Sequence, residues 1–104
     1  MDRDTEQTAV IFRKFNTGAV IALFPEIAED RDTMLSYMHV GQHGCASIFI
    51  TGWTKPASPA EYADLQTELA SIGYNLRIVK RMTAKMAAAR RAQIKAWEAS
   101  DVTG

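Results

Sequence analysis

A chain of 104 residues and 11.5 kDa has room for one domain and little more. Its composition, 47% hydrophobic and 23% charged, argues against a chain disordered as a whole. Twelve Lys+Arg against twelve Asp+Glu give a net charge of 0, which excludes a uniformly basic nucleic-acid binder and a uniformly acidic mimic.

The single cysteine, Cys45, permits no internal disulfide. Residues 1–7 are acidic and polar, the opposite of a basic-then-apolar signal peptide, and are expected to be disordered. The longest apolar stretch, Ala19 to Pro25, falls far short of the ~18–20 residues that span a bilayer. These features point to a soluble cytoplasmic protein.

From Thr8 the pattern changes. Val10 to Phe15 is β-branched and aromatic, hence a strand. Asn16-Thr17-Gly18 supplies a turn, and Ala19 to Phe24 a second strand that is apolar on both faces. Pro25 is expected to end that strand or mark an edge. Residues 26–33 carry Glu26, Glu29, Asp30 and Asp32, which reads as an acidic surface loop or a short helical turn. Leu35 to Val40 reads as a third strand with Tyr37 and His39 on one face. Gly41-Gln42-His43-Gly44 breaks regular structure, and Ala46 to Thr51 reads as a fourth strand.

Ser58-Pro59-Ala60-Glu61 is a capping box with proline at the first helical position. Tyr62, Leu65, Leu69 and Ile72 form one apolar stripe, and Gly73 supplies a left-handed C-cap on which Tyr74 can fold back. Asn75 to Lys80 reads as a fifth strand. An Ala-rich stretch, residues 82–99, reads as a second helix with a thin stripe of Met82, Met86, Ala89, Ile94 and Trp97. Residues 100–104 are expected to fray. The order β-β-β-(β)-α-β-α gives an α+β fold: a mostly antiparallel sheet in a domain over 8–81, followed by a basic helix.

The neutral total hides an uneven distribution. Residues 1–76 hold five bases against ten acids, −5. Residues 77–95 hold seven bases (Arg77, Lys80, Arg81, Lys85, Arg90, Arg91 and Lys95) and no acid, +7, and the last nine residues add −2. Lys85, Arg90, Arg91 and Lys95 are therefore candidate binding residues on the last helix. An acidic protein partner, self-association through residues 82–97, and nucleic acid all fit such a surface, as does a simple solvated face. Trp97 is the one aromatic in this stretch, poor provision for base stacking.

His39, His43 and Cys45 lie within seven residues of one another. Such residues can ligate zinc or pair a thiol with a base, so a metal- or thiol-dependent enzyme is an alternative. The glycines around His43 favour a tight turn, in which Tyr37, His39, Gln42 and His43 form a second candidate binding surface. No catalytic residue, metal ligand set or cofactor motif is assigned, and no phosphate loop or nucleophile elbow is present.

The runs Val10-Ile11-Phe12-Arg13-Lys14-Phe15, Ile21 to Ile27, Ser36 to Gly44, Glu61 to Leu65 and Ile72 to Arg81 together resemble a group of small uncharacterised proteins common in bacteriophage and prophage genomes. The resemblance covers residues 8–81 and implies a phage or mobile-element origin, with no activity or ligand attached. It implies Ala or Ser at the position of Cys45, which weakens a thiol or zinc site. It places the His43 turn in the shared part and the basic helix outside it. The expected function is a non-enzymatic accessory module that binds a protein partner.

Overall fold

The sheet grows from the hairpin that the turn at Asn16-Thr17-Gly18 announces; a computed structural model describes residues 7–38 and 42–103. β1 (Thr8–Lys14) and β2 (Val20–Asp30) pair antiparallel, with Phe12 opposite Ala22. Gly18 takes a φ of 92°, a conformation glycine adopts without steric cost. β3 (Thr33–Met38) pairs with β2, and β4 (Gln42–Ser47) with β3. A 3-10 helix (Ile50–Trp53) leads to β5 (Lys55–Pro56), which pairs antiparallel with the Arg13–Lys14 end of β1. After α1 (Pro59–Ser71), β6 (Leu76–Ile78) runs parallel to Thr8–Val10 on the same edge of β1. α2 (Ala84–Thr103) follows. The path of the six-stranded sheet is β4-β3-β2-β1-β5, with β6 beside β1, and the fold is a small α+β domain.

Four expectations are corrected. Pro25 does not end the strand: it is buried within β2, which continues to Asp30 past the point where β1 stops pairing. The pairing of β2 with β3 shifts register between Phe24 and Ala28, and β1 pairs only as far as Leu23, so the missing proline N–H falls where no ladder bond is required. The acidic run is thus mostly strand, with a tight turn at Arg31-Asp32 in which the Asp32 N–H donates to the Asp30 carboxylate at 2.9 Å. Gln42 to Gly44 is strand rather than turn, because its backbone pairs with Ser36 to Met38; Ala46-Ser47 ends that strand, and Ile50-Thr51 is 3-10. Finally α2 reaches Thr103, beyond the expected tail, and starts at Thr83, whose hydroxyl accepts from the Met86 N–H at 3.2 Å as an N-cap. The expected disorder of 1–7 lies outside the described residues except for Gln7, which is exposed.

Strand alternation divides the core between two faces. Val10, Phe12, Ala22, Phe24 and Tyr37 face Leu65 and Leu69 of α1, with Phe12 stacked on Tyr62 at 4.3 Å. Ile11, Ile21, Leu23, Met34 and Ala46 face the other way, where Ile50 of the 3-10 helix covers part of them. Arg13 fixes that cover: its Nε donates to the Thr54 hydroxyl at 3.0 Å and its guanidinium to the carbonyls of Thr51 and Thr54. The α1 capping box forms as expected, Ser58 and Glu61 exchanging hydrogen bonds. At the other end Gly73 has a φ of 112°; its N–H donates to the Ala70 carbonyl and the Tyr74 N–H to that of Leu69, a Schellman motif.

α2 docks along the overhanging half of β2. The Gln93 side chain accepts from the Ala28 N–H at 2.8 Å and donates to the Glu26 carbonyl. One carboxamide thereby bonds to both sides of Ile27, as a neighbouring strand's peptide group does. This explains the thin apolar stripe: polar side chains, not a wide hydrophobic face, seat this helix.

Candidate functional site

The turn at the end of α1 aims Tyr74 back over the sheet. Its ring stacks on Phe24 at 5.1 Å, and its hydroxyl lies 2.9 Å from His43 Nε2. Burial pushes the Tyr74 phenol above its ordinary value, so at neutral pH it is protonated. His43 is exposed on β4, directly opposite Tyr37 in register, and its ring meets the Tyr37 ring edge-on at 4.7 Å. Tyr37 is buried, and its hydroxyl donates to the Glu68 carboxylate. Two phenols, an imidazole and a carboxylate therefore meet where the edge strand β4 passes the C-terminal half of α1.

The structure brings Tyr37 and His43 together as the sequence suggests. Gln42 lies opposite Met38 in register, and His39 lies outside the described residues. Cys45 is an exposed free thiol two residues from His43 and opposite Leu35. Among the described residues no three His, Cys, Asp or Glu side chains converge as a metal site requires. Glu68 and Tyr74 are partners that sequence reasoning missed. The available signal for Tyr74 was its place just after the Gly73 cap; for Glu68 it was its place beside Leu69 on the stripe.

The basic segment splits into three kinds of residue. Arg77 lies 3.8 Å from the Glu26 carboxylate. Arg90 is 5% exposed, and its guanidinium donates to the carbonyls of Asp30, Arg31 and Thr33 at the tip of the β2–β3 hairpin. It is therefore removed from the candidate binding surface, because its donors are spent inside the molecule. Lys80, Arg81, Lys85, Arg91 and Lys95 are exposed, and among the described residues none of them forms an ion pair. The helix turn places Arg91 and Lys95 on one side and Ala84, Ala88 and Ala92 nearby, opposite the docked Met86 and Gln93. Trp97 is 42% exposed beyond the docked turns, near the Arg31–Glu98 ion pair.

No protein-family model, curated protein or solved structure matches this chain in comparisons with known proteins. Among the described residues no helix is long and apolar enough to cross a membrane.

Proposed function

We propose that the protein is a non-enzymatic binding module, of the accessory kind implied by the phage-protein resemblance, that engages an acidic protein surface through the outward bases of α2 and the segment before it. One observation carries this reading. Of the seven bases in 77–95, the fold consumes Arg77 and Arg90, and the other five remain exposed without a carboxylate partner among the described residues. Unpaired like charges on one segment repel one another and gain from an acidic partner.

Retention on immobilised poly-glutamate, compared with single-stranded DNA, tests this. The wild-type protein is expected to be retained at low salt by poly-glutamate and released as salt rises. The double variant Arg91→Glu/Lys95→Glu should lose retention while keeping its circular-dichroism spectrum. Retention unchanged by charge reversal would end the proposal. Stronger binding to DNA, with a steep salt dependence, would favour the nucleic-acid reading instead. Self-association through residues 82–97 draws on the half-exposed Trp97, and sedimentation of wild type against Trp97→Ala decides it.

A further inference from the structure

The β1 edge carries two short strands with a notch between them. The Ala57 N–H donates to the Phe12 carbonyl at 3.1 Å just after β5, and the Val79 N–H to the Val10 carbonyl at 2.9 Å just after β6. Between these two anchors lies a pocket of about 360 Å³ lined by Phe12, Pro56, Pro59, Tyr62, Ile78 and Lys80. Its walls are preformed. The Phe12 and Tyr62 rings are stacked within 10° of parallel, and two prolines fix the backbone on either side of Ala57. Ile78, part of the lining, is 40% exposed and so offers apolar surface to a docked group.

Its single charged lining residue is Lys80, an exposed base with no ion pair among the described residues. Arg81 follows it directly, and α2 begins three residues later. The pocket is thus continuous along the chain with the basic surface assigned to the acidic partner. A dry cavity of about 150 Å³ already holds a benzene ring, so the notch has room for the largest natural side chains.

We infer that this pocket takes one large apolar side chain, Trp, Phe or Leu, from an acidic peptide segment of the partner, with carboxylates beside that residue meeting Lys80 and Arg81. The inference rests on the proposed acidic-partner reading and names the anchor that the reading lacks. The charge pattern selects this occupant. A second copy would have to offer an apolar residue flanked by acids, and among the described residues its exposed large hydrophobics are otherwise placed. Phe49 and Trp53 follow a neutral stretch and precede Lys55, Ile72 adjoins Ser71 and Gly73, and Trp97 stands between Lys95 and a Glu98 whose carboxylate is already paired with Arg31 of its own chain. An apolar anchor supplies affinity, while the flanking charges set orientation and association rate.

Fluorescence polarisation of labelled short peptides on the full chain tests the inference. One peptide is built of Asp and Glu with a central Trp; the control replaces that Trp with Ala. The Trp peptide is expected to bind at least about tenfold more tightly than the control. Ile78→Trp, whose added bulk lies at an already exposed position and covers the opening, should erase that difference yet leave the weak binding of the control unchanged. Lys80→Glu should weaken the Trp peptide and reduce its salt dependence. Equal binding of the two peptides, with Arg91→Glu/Lys95→Glu still abolishing both, would overturn the anchor pocket and leave the acidic-partner reading standing. Failure of both peptides to bind at low salt would overturn the two together. Tighter binding of a Lys-rich peptide with the same Trp would overturn the charge assignment.

Discussion

Arg90 of α2 reaches into the hairpin tip and donates through its Nε to the Thr33 carbonyl at 3.2 Å, while its terminal nitrogen also serves the carbonyls of Asp30 and Arg31. A guanidinium suits this place because its planar fork offers several donors at once, where an ammonium offers a point charge. The helix is thereby tied to the part of the sheet farthest from the β1–β2 turn. Removing the side chain takes a charged donor away from three hairpin-tip carbonyls, so Arg90→Ala should cost about 1.5–3 kcal/mol of stability in urea titration. Arg90→Lys should recover only part of that loss. The neighbouring Arg91→Ala, on the solvent side, should stay within about 0.5 kcal/mol of wild type. Equal effects at 90 and 91 would contradict the docking geometry.

Gln93 gives a sharper test because its two amide ends have different jobs. It donates to the Glu26 carbonyl and accepts from the Ala28 N–H. Gln93→Ala should destabilise by about 1–3 kcal/mol through the orphaned strand groups. Gln93→Glu keeps the shape and the acceptor but loses the donor, and sets a carboxylate oxygen against a carbonyl. It should therefore be no better than alanine at neutral pH and should improve as acid protonates the new carboxyl. Thermal melts at neutral and acidic pH read both effects.

Glu61 links α1 to the sheet as well as capping the helix. The Lys14 ammonium, which donates to it, and next the Ser58 backbone N–H hold its carboxyl down to about 2, from an ordinary value of 4.5. A folded-state value below the unfolded one stabilises the protein at pH above 4.5, and that contribution is lost as pH falls from about 4.5 toward 2. Asp30 is also held low, chiefly by the Asp32 N–H, and acts in the same direction. Glu61→Gln should flatten the acid limb of the stability profile measured by denaturant titration at successive pH values. An unchanged acid limb would refute the assignment.

The His43–Tyr74 hydrogen bond joins the edge strand to the C-terminal cap of α1, elements that share no backbone bond at that point. A double-mutant cycle of His43→Ala and Tyr74→Phe should give a coupling of about 0.5–1.5 kcal/mol. Tyr37→Phe should cost about 1 kcal/mol by removing the donor to Glu68. A coupling near zero would mean that His43 faces solvent in solution and is free for another partner.

Local signals were legible where the physical cause is local. Ser58, Pro59 and Glu61 announce the start of α1, because all three act within one helical turn. Gly18 and Gly73 announce their turns, because only a residue without Cβ adopts those φ values cheaply. β2 was misread beyond Phe24 because proline normally ends a central strand. Only the register shift with β3 and the early departure of β1 reveal that its missing N–H has no ladder bond to make. Gln42 to Gly44 lacks strand propensity of its own, and its pairing with β3 overrides that. Tyr37 and His43 are close enough in the chain to group on sequence alone, whereas Glu68 and Tyr74 reach them from a later helix and its cap.

By itself the sequence determined the α+β class, the capped first helix and the concentration of seven bases in 77–95, but not the short strand β5. Those follow from covalent neighbours, hydrophobic period and counting. Which of those bases face outward was decided only in three dimensions. Arg90 and Arg91 are adjacent and chemically identical, yet the helical turn of about 100° per residue sends one into carbonyl oxygens and leaves the other in water. The notch beside Lys80 likewise exists only because β5 and β6, far apart in sequence, share one edge of β1 without filling it.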